Sequence, residues 1–278
     1  MRIHGRISIY GEYLMHGSVH GLAVPTESYL TSDPDDLAEP HPYYSAQLDT
    51  VASNLQLCGL PIAKHISGTL PLGKGLGSSA VLARVHLGMA GTAAFRAAVR
   101  HSEDILHGFS SSGFDAECVL QQTAGLFNAG QWRRVDVLPF DLWLVDIKKE
   151  KSKTLPEIQA TICSDSRRLI RIAKHLNSHV LRSGSIDFDA LYDYSQRLAS
   201  LHVYSTVCSD LVSMLLAKGL IAKCVGGLYD KLLLVVNPGD AYPLATIRRF
   251  APEYEVMVSP AKFHNPKLTK NATSTPNE

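Results

Sequence analysis

The first thirty residues predict a pair of adjacent β-strands. Residues 2–10 alternate apolar and polar side chains around Ile3, Ile7 and Ile9, and a second extended run covers residues 21–30. Alternation with a period of two places the apolar side chains on one face of a sheet. The start of the chain therefore predicts a β-hairpin or two neighbouring strands.

The next part of the chain predicts a strand, a glycine loop and a helix. The acidic, proline-broken segment 32–42 indicates an exposed loop before a short helix at about 46–57. A strand over residues 64–70 follows, and it ends at Pro71. From Ser78 onward, small and apolar residues predict a helix that runs into the nineties.

The rest of the chain predicts more strands, then helices, then strands again. A short helix begins at Asp115, and helical spacing dominates from Pro156 to about Lys218, before the last strands. The predicted strands lie on either side of that helical stretch, at residues 124–130, 131–138, 140–148, 222–225, 231–236 and 254–258, with a helix between the last two.

This order of elements predicts an α+β fold with two lobes. We place the lobes at residues 1–154 and 155–266, with an unstructured tail at residues 267–278.

Composition restricts the class of protein and its partners. The chain has 278 residues, 45% hydrophobic and 19% charged, which is enough apolar material for a sizeable core. Its 27 Lys and Arg residues against 26 Asp and Glu give a net charge of +1. A balanced charge provides no general field for nucleic acid or an anionic membrane, so we expect neither partner, and any phosphate binding has to be local. The composition leaves a homodimer open.

The cysteines and the N terminus indicate a cytoplasmic protein. The five cysteines include no close pair, which argues against a local zinc knuckle or a redox C-x-x-C pair. Their odd number favours reduced thiols. The first residues lack the apolar run of a signal peptide, and no stretch approaches the roughly 18 apolar residues that span a membrane.

The glycine loop at residues 71–80, PLGKGLGSSA, is the most informative stretch. Its glycines leave backbone N–H groups unobstructed and allow positive φ, and the loop leads directly into a helix N-terminus, which favours phosphate binding. Ser78 and Ser79 could cap the helix, touch phosphate oxygens or reach Mg²⁺. The alternative is an ordinary glycine turn with a serine N-cap. The spacing fits neither a Walker A loop nor the G-x-G-x-x-G dinucleotide motif.

Three segments carry a resemblance to a known family. The pattern P-x-x-x-G-L-G-S-S-A at 71–80 resembles the ATP-binding motif of the GHMP kinases, named for galactokinase, homoserine kinase, mevalonate kinase and phosphomevalonate kinase. The segment GRISIYGEYLMHG at 5–17 looks like the first family motif. The segment EDILHGFSSSGFDAE at 103–117 resembles the mevalonate kinase pattern of a glutamate, His-Gly and Ser-Gly-x-Asp, with one extra residue before Ser-Gly.

The resemblance implies a fold and a site. The fold would have an N-terminal lobe like ribosomal protein S5 and a ferredoxin-like C-terminal lobe. Asp115 would receive or orient the proton of an alcohol substrate beside Arg6, which cannot itself act as a base. Mg²⁺ would be held by Ser79 and Glu103. The implied ATP-binding residues are Lys74, Gly75, Leu76, Gly77, Ser78, Ser79 and Ala80. The implied acceptor-binding residues are Glu12, Tyr13, Ser112, Gly113, Gly226 and Gly227.

Several simpler interpretations stand beside these roles. Asp115 could be only the N-cap of its helix, and Glu103 and Lys74 could be merely solvated. His16 and His20 flank a glycine turn without a third metal ligand.

The sequence leaves the substrate and the activity open. The third family motif is altered, because residues 228–230 (Leu-Tyr-Asp) are bulkier than the small residues usual there. The resemblance is closest to the mevalonate kinase and phosphomevalonate kinase branch, and our main hypothesis is a mevalonate-kinase-like small-molecule kinase that uses ATP and Mg²⁺. The alternatives are a GHMP-fold regulator or binding protein without turnover, a phosphomevalonate kinase, and a diphosphomevalonate decarboxylase.

Overall fold

A computed structural model describes most of the chain. The described residues are 1–11, 14, 20–33, 66–71, 75–88, 92–107, 112–128, 131–136, 141–147, 155–163, 165–201, 203–204, 206–225, 232–237 and 256–260. The predicted helix at 46–57, the predicted helix before the last strand and the predicted tail at 267–278 lie outside these residues.

The N-terminal alternation forms a hairpin, as predicted. Strands β1 and β2 pair antiparallel, with Ile7 opposite Val24, and both side chains are buried. The first sheet has the order β1-β2-β4-β5, and β3 pairs with the end of β2. Its strands are β1 (Arg2–Tyr10), β2 (His20–Thr31), β3 (Ser67–Gly68), β4 (Gly125–Asn128) and β5 (Gln131–Arg134).

The second sheet is also antiparallel and has the order β7-β8-β6-β9. Its strands are β6 (Asp141–Ile147), β7 (Ile221–Val225), β8 (Leu232–Asn237) and β9 (Val256–Pro260). The sequence order suggested that β6 continues the first group of strands, but β6 lies between β8 and β9. The chain therefore passes to the second sheet before Asp141, while the predicted boundary near residue 154 stays a prediction.

Helices connect and cover these sheets. The described helices are α1 (Ser78–Leu87), α2 (Thr92–His107), α3 (Phe114–Gln121), α4 (Leu155–Cys163), α5 (Ser166–Ser183), α6 (Phe188–Ser200) and α7 (Thr206–Leu216). The prediction of one helix from Ser78 into the nineties was wrong. Gly88 adopts a φ of 53° and donates its N–H to the carbonyl of Arg84, which ends α1, and α2 begins afresh at Thr92.

The spacing of apolar residues explains how α5 packs. Leu169, Ala173, Leu176 and Val180 recur at intervals of three or four residues, and all four are buried. This spacing gives a helix one continuous apolar stripe. The helix consequently packs against the hairpin and α6.

Two buried tyrosines join the end of β1 to these helices. The Tyr10 hydroxyl donates to the side-chain oxygen of Asn177 on α5 at 2.7 Å. The Tyr194 hydroxyl on α6 accepts the backbone N–H of Gly11 at 3.1 Å. Because both rings are fully buried, the first strand and the downstream helices share one core.

Within the described ranges, the structure contains no helix with both the length and the apolar character needed to cross a lipid bilayer.

Candidate active site

The glycine loop ends in a helix whose N-cap is a glycine. Gly75 and Gly77 adopt φ values of 79° and 71°, and Gly77 is the N-cap of α1. The N-cap residue has no side chain to accept a hydrogen bond from the first turn, and the first turn contains no acidic residue. A serine N-cap, the simpler interpretation of this loop, is therefore wrong. The positive end of the α1 dipole carries no side-chain anion of its own in this turn.

Arg6 on β1 holds this loop. Its backbone N–H donates to the carbonyl of Leu76 at 3.0 Å, and its Nη1 donates to the carbonyl of Gly75 at 3.3 Å. The Arg6 side chain also lies against Gly77, where an added Cβ would come within 3.0 Å of the Arg6 Cγ. The strand and the glycine loop are thus fixed to each other through one residue.

Arg6 also contacts Asp115 on α3. Its Nε donates to Asp115 Oδ1 at 2.6 Å, and its Nη2 forms an ion pair with the same oxygen. The two side chains are only 11% and 21% exposed, so water screens the pair weakly. No described residue donates to Oδ2. The pair therefore leaves one carboxylate oxygen for another partner.

Asp115 is not the N-cap of α3. The N-cap is Gly113, with a φ of 78°, and Asp115 lies in the first turn of the helix. The backbone N–H of Phe114 donates to the Ser112 hydroxyl at 3.3 Å, and the Arg6 guanidinium carbon lies 5.1 Å from the centre of the Phe114 ring. The simpler interpretation of Asp115 as a helix cap is wrong, because its carboxylate faces Arg6.

A second arginine–carboxylate pair joins α2 to α3. Arg96 donates through Nε to Glu117 Oε1 and through Nη2 to Oε2, the latter at 3.1 Å. The Glu117 side chain is buried, and its hydrogen bond raises the pKa of Arg96. One turn further along α2, the Arg100 guanidinium lies against Gly113. Glu103 follows Arg100 by three residues on α2, so its backbone lies just beyond the residue that covers the start of α3.

Burial also affects a thiol behind the site. The Cys118 side chain lies one turn after Asp115 and is buried. Desolvation raises the pKa of this thiol well above its usual value, with Arg6 acting in the opposite direction. The thiol consequently stays protonated and serves as a packing residue.

Some predicted site residues lie outside the described part of the chain. These are Glu12, Tyr13, Lys74, Gly226 and Gly227, together with His16 and residues 228–230. For Glu103, the backbone is described but the side chain is not. Among the described residues, no group of three or more His, Cys, Asp or Glu side chains comes together as a metal site.

Comparison with known proteins gives no match by sequence and clear matches by structure. No family model and no curated protein matches the chain. L. major mevalonate kinase, solved with R-mevalonate, aligns with a TM-score of 0.69 at 14% identity, covering 95% of each chain. L. lactis galactokinase, solved with galactose, aligns with a TM-score of 0.63 at 11% identity, covering 94% of this chain and 92% of the other. S. pneumoniae phosphomevalonate kinase, solved with phosphomevalonate and AMPPNP, aligns with a TM-score of 0.60 at 14% identity, covering 94% and 99%.

The chain has the GHMP kinase fold. The α+β class and the resemblance predicted from three short motifs are confirmed at the level of the fold. Within this fold, the structure brings Arg6, the loop residues Gly75 to Ala80 and Asp115 together, although they come from three separated parts of the sequence.

Sequence reasoning missed three charged residues beside this cluster. Arg96, Arg100 and Glu117 matched no motif that we recognised. The available signal was the four-residue spacing of Arg96 and Arg100, which places both on one face of an amphipathic helix. Identifying their partners required the packing of α2 on α3.

Proposed function

We propose that the chain is an ATP-dependent kinase that phosphorylates a hydroxyl group of a small metabolite. The observation that carries the proposal is the Arg6–Asp115 pair, which lies beside a helix N-terminus with a glycine cap. The GHMP kinase fold supports the same reaction class, because the structural neighbours are kinases of small alcohols.

The glycine loop fits a polyphosphate. A phosphate needs hydrogen-bond donors and positive potential, and the start of a helix supplies both. At α1 the N-cap has no side chain and the first turn has no carboxylate to compete with a bound anion. Gly75 to Ala80 would hold the phosphates of ATP, with Lys74 added from the loop. Ser79 and Glu103 would hold Mg²⁺, a hard cation that accepts hydroxyl and carboxylate oxygens.

Bound ATP would supply the phosphoryl group, and Mg²⁺ would neutralise charge on its phosphates. In our proposal Asp115 Oδ2 accepts the proton from the acceptor hydroxyl, because Arg6 occupies Oδ1. Arg6 holds the carboxylate in place, and its second contact, to the Gly75 carbonyl, fixes the distance between the base and the phosphate loop. A guanidinium stays protonated throughout, so its contribution is electrostatic.

Within this class we favour an acceptor of the mevalonate kinase type. The support is the Glu, His-Gly and Ser-Gly-x-Asp pattern at residues 103–115. Phosphomevalonate is the alternative acceptor, and diphosphomevalonate decarboxylation is the third reaction. The regulator hypothesis rested on residues 228–230, which lie outside the described residues.

The direct test is the acceptor-dependent release of ADP from ATP. The panel would include mevalonate, phosphomevalonate, diphosphomevalonate, homoserine, galactose and glycerol, with CO₂ measured in parallel to detect decarboxylation. We expect turnover with one class of acceptor and none when Mg²⁺ is chelated. Asp115→Asn prepared in the same way controls for contaminating kinases. Binding of ATP without turnover of any acceptor would favour the regulator instead.

A further inference from the structure

We propose that Arg100 binds an anionic group of the phosphoacceptor, so that the site selects hydroxy acids or phosphate esters over neutral alcohols. This inference rests on the proposed function, since it specifies the substrate of the same site. It begins with the position of one guanidinium group at the start of α3.

The Arg100 guanidinium lies directly on Gly113. A Cβ at Gly113 would come within 2.6 Å of Arg100 Nη2, 2.7 Å of Nε and 3.1 Å of Cζ. Only a glycine leaves room for this approach, and its φ of 78° also favours glycine. The absence of a side chain at Gly113 thus brings a positive charge to the N-terminus of the helix that carries Asp115.

Among the described side chains around this helix, Arg100 has no counter-ion. Arg6 pairs with Asp115, and Arg96 pairs with Glu117. No described residue forms a hydrogen bond or an ion pair with Arg100, whose side chain is exposed. Among the described side chains the two pairs cancel, and the exposed Arg100 remains as one positive charge at the N-cap of α3, two residues before the proposed base.

The position of this charge favours the acceptor over the nucleotide. Arg6 lies between the glycine loop and Asp115 and contacts both of them. Arg100 instead covers the N-cap of α3, and it makes no hydrogen bond to the described residues of the glycine loop. A ligand that reaches both Asp115 Oδ2 and Arg100 is therefore the molecule that carries the reacting hydroxyl.

The two groups belong to neighbouring positions at the start of α3, which favours a small acceptor. The Cα atoms of Gly113 and Asp115, two positions apart at the start of a helix, are about 5.5 Å apart. Arg100 covers the first of these two positions and Asp115 is the second, which suits a small acceptor that carries its anionic group near its hydroxyl. Carboxylates and phosphates both suit a guanidinium, which binds either through two parallel N–H groups.

The test compares acceptors that differ only in the anionic group. Suitable sets are glycerol, glycerate and glycerol 3-phosphate, and mevalonate with the neutral 3-methylpentane-1,3,5-triol. The wild type, Arg100→Gln and Arg100→Lys would be assayed for kcat/KM on each acceptor and for KM of ATP. Arg133→Gln, which alters an exposed arginine on β5, is the matched control.

We expect the wild type to prefer the anionic member of each set. Arg100→Gln should lower kcat/KM for the anionic acceptors about 10- to 100-fold while leaving neutral acceptors and the KM of ATP within about twofold. Arg100→Lys should recover part of the loss, and the carboxylate and phosphate members show which anion is preferred. An equal loss on neutral acceptors, a higher KM for ATP, or a wild-type preference for neutral acceptors would overturn the inference.

A binding measurement separates this inference from the proposed function. If no acceptor is turned over, calorimetry with the same compounds still tests Arg100. Binding of glycerate, glycerol 3-phosphate or mevalonate by the wild type, weakened in Arg100→Gln and unchanged in Arg133→Gln, supports the anion site without catalysis. Equal binding by the wild type and Arg100→Gln, or no binding of any anionic compound, refutes it.

Discussion

The two helices that meet at the candidate site begin alike and then differ. Both α1 and α3 have a glycine N-cap with positive φ and no side-chain cap, and an arginine side chain covers each glycine. The first turn of α1 has no acidic residue, whereas the first turn of α3 contains Asp115 and Glu117. One helix start is therefore left for the negative charge of a ligand, while the other supplies its own carboxylates.

Helix α6, away from the site, shows the ordinary arrangement. Its N-cap is Asp187, whose carboxylate accepts the backbone N–H of Ala190 at 3.0 Å. A side-chain cap of this kind satisfies the first turn and stabilises the helix. Helices α1 and α3 lack such a side-chain cap and the stability it provides. At both helix starts we propose that a ligand binds.

The largest expected effect comes from the carboxylate of α3. Asp115→Asn keeps the size of the side chain but removes its ability to accept a proton, so kcat should fall about 100- to 10,000-fold. The Kd of a non-hydrolysable ATP analogue, measured by calorimetry, should change little, because the proposed phosphate site is at α1. A variant that retains kcat would show that Asp115 is not the base.

The second carboxylate of α3 should affect stability instead. Arg96→Gln leaves the buried Glu117 without its guanidinium, and the free energy of unfolding in urea should fall by about 2–3 kcal/mol. In the double variant with Glu117→Gln, much of this loss should be recovered, because no unpaired charge remains buried. Simple additivity of the two single variants would contradict a direct pairing.

The glycine cap of α1 offers a matched pair of substitutions. Gly77→Ala places a side chain in the left-handed helical region, which should cost about 1–2 kcal/mol in unfolding free energy. Gly88→Ala should cost more, because its φ of 53° and ψ of −119° lie outside the regions allowed to residues with a Cβ. Only the first approaches Arg6, since an added Cβ at Gly88 meets nothing within 4 Å. We expect Gly77→Ala alone to raise the Kd of the ATP analogue, by about tenfold. Equal effects of both on nucleotide affinity would count against a phosphate site at α1.

The smallest expected effect is at the remote cap. Asp187→Ala should lower the free energy of unfolding by about 1 kcal/mol at neutral pH without changing kcat. The hydrogen bond from Ala190, and then that with His175, lowers the pKa of Asp187 below its usual value of 3.8. Its stabilisation is therefore complete above about pH 4 and is lost as the pH falls through the lowered pKa. When urea unfolding is measured between pH 6 and pH 2, the free energy of unfolding should fall less on acidification in the variant than in the wild type.

The sequence predicted local features better than the contacts between distant segments. The alternation around Ile7 sufficed for the hairpin, and the three short motifs together sufficed for the fold. The end of α1 was missed, because apolar residues continue past Gly88 and the sequence pattern does not show that this glycine adopts a positive φ. The pairing of β6 with β8 and β9 was also missed, since hydrophobic pattern identifies a strand but not its neighbours. At the site, motif order suggested Arg6 and Asp115, but Arg96 and Arg100 emerged only from the packing of two helices.

The hydrogen bonds of Tyr10 and Tyr194 bear on how the chain can be divided. A fragment of residues 1–154 would retain every described loop and carboxylate of the candidate site, but it would lack Asn177 and the α6 helix that enclose the end of β1. The fully buried Tyr10 ring would become exposed, and the N–H of Gly11 would lose its acceptor. Residues 1–154 are thus not an autonomous module, and shortening or transplanting them without residues 166–200 would remove part of their own interior.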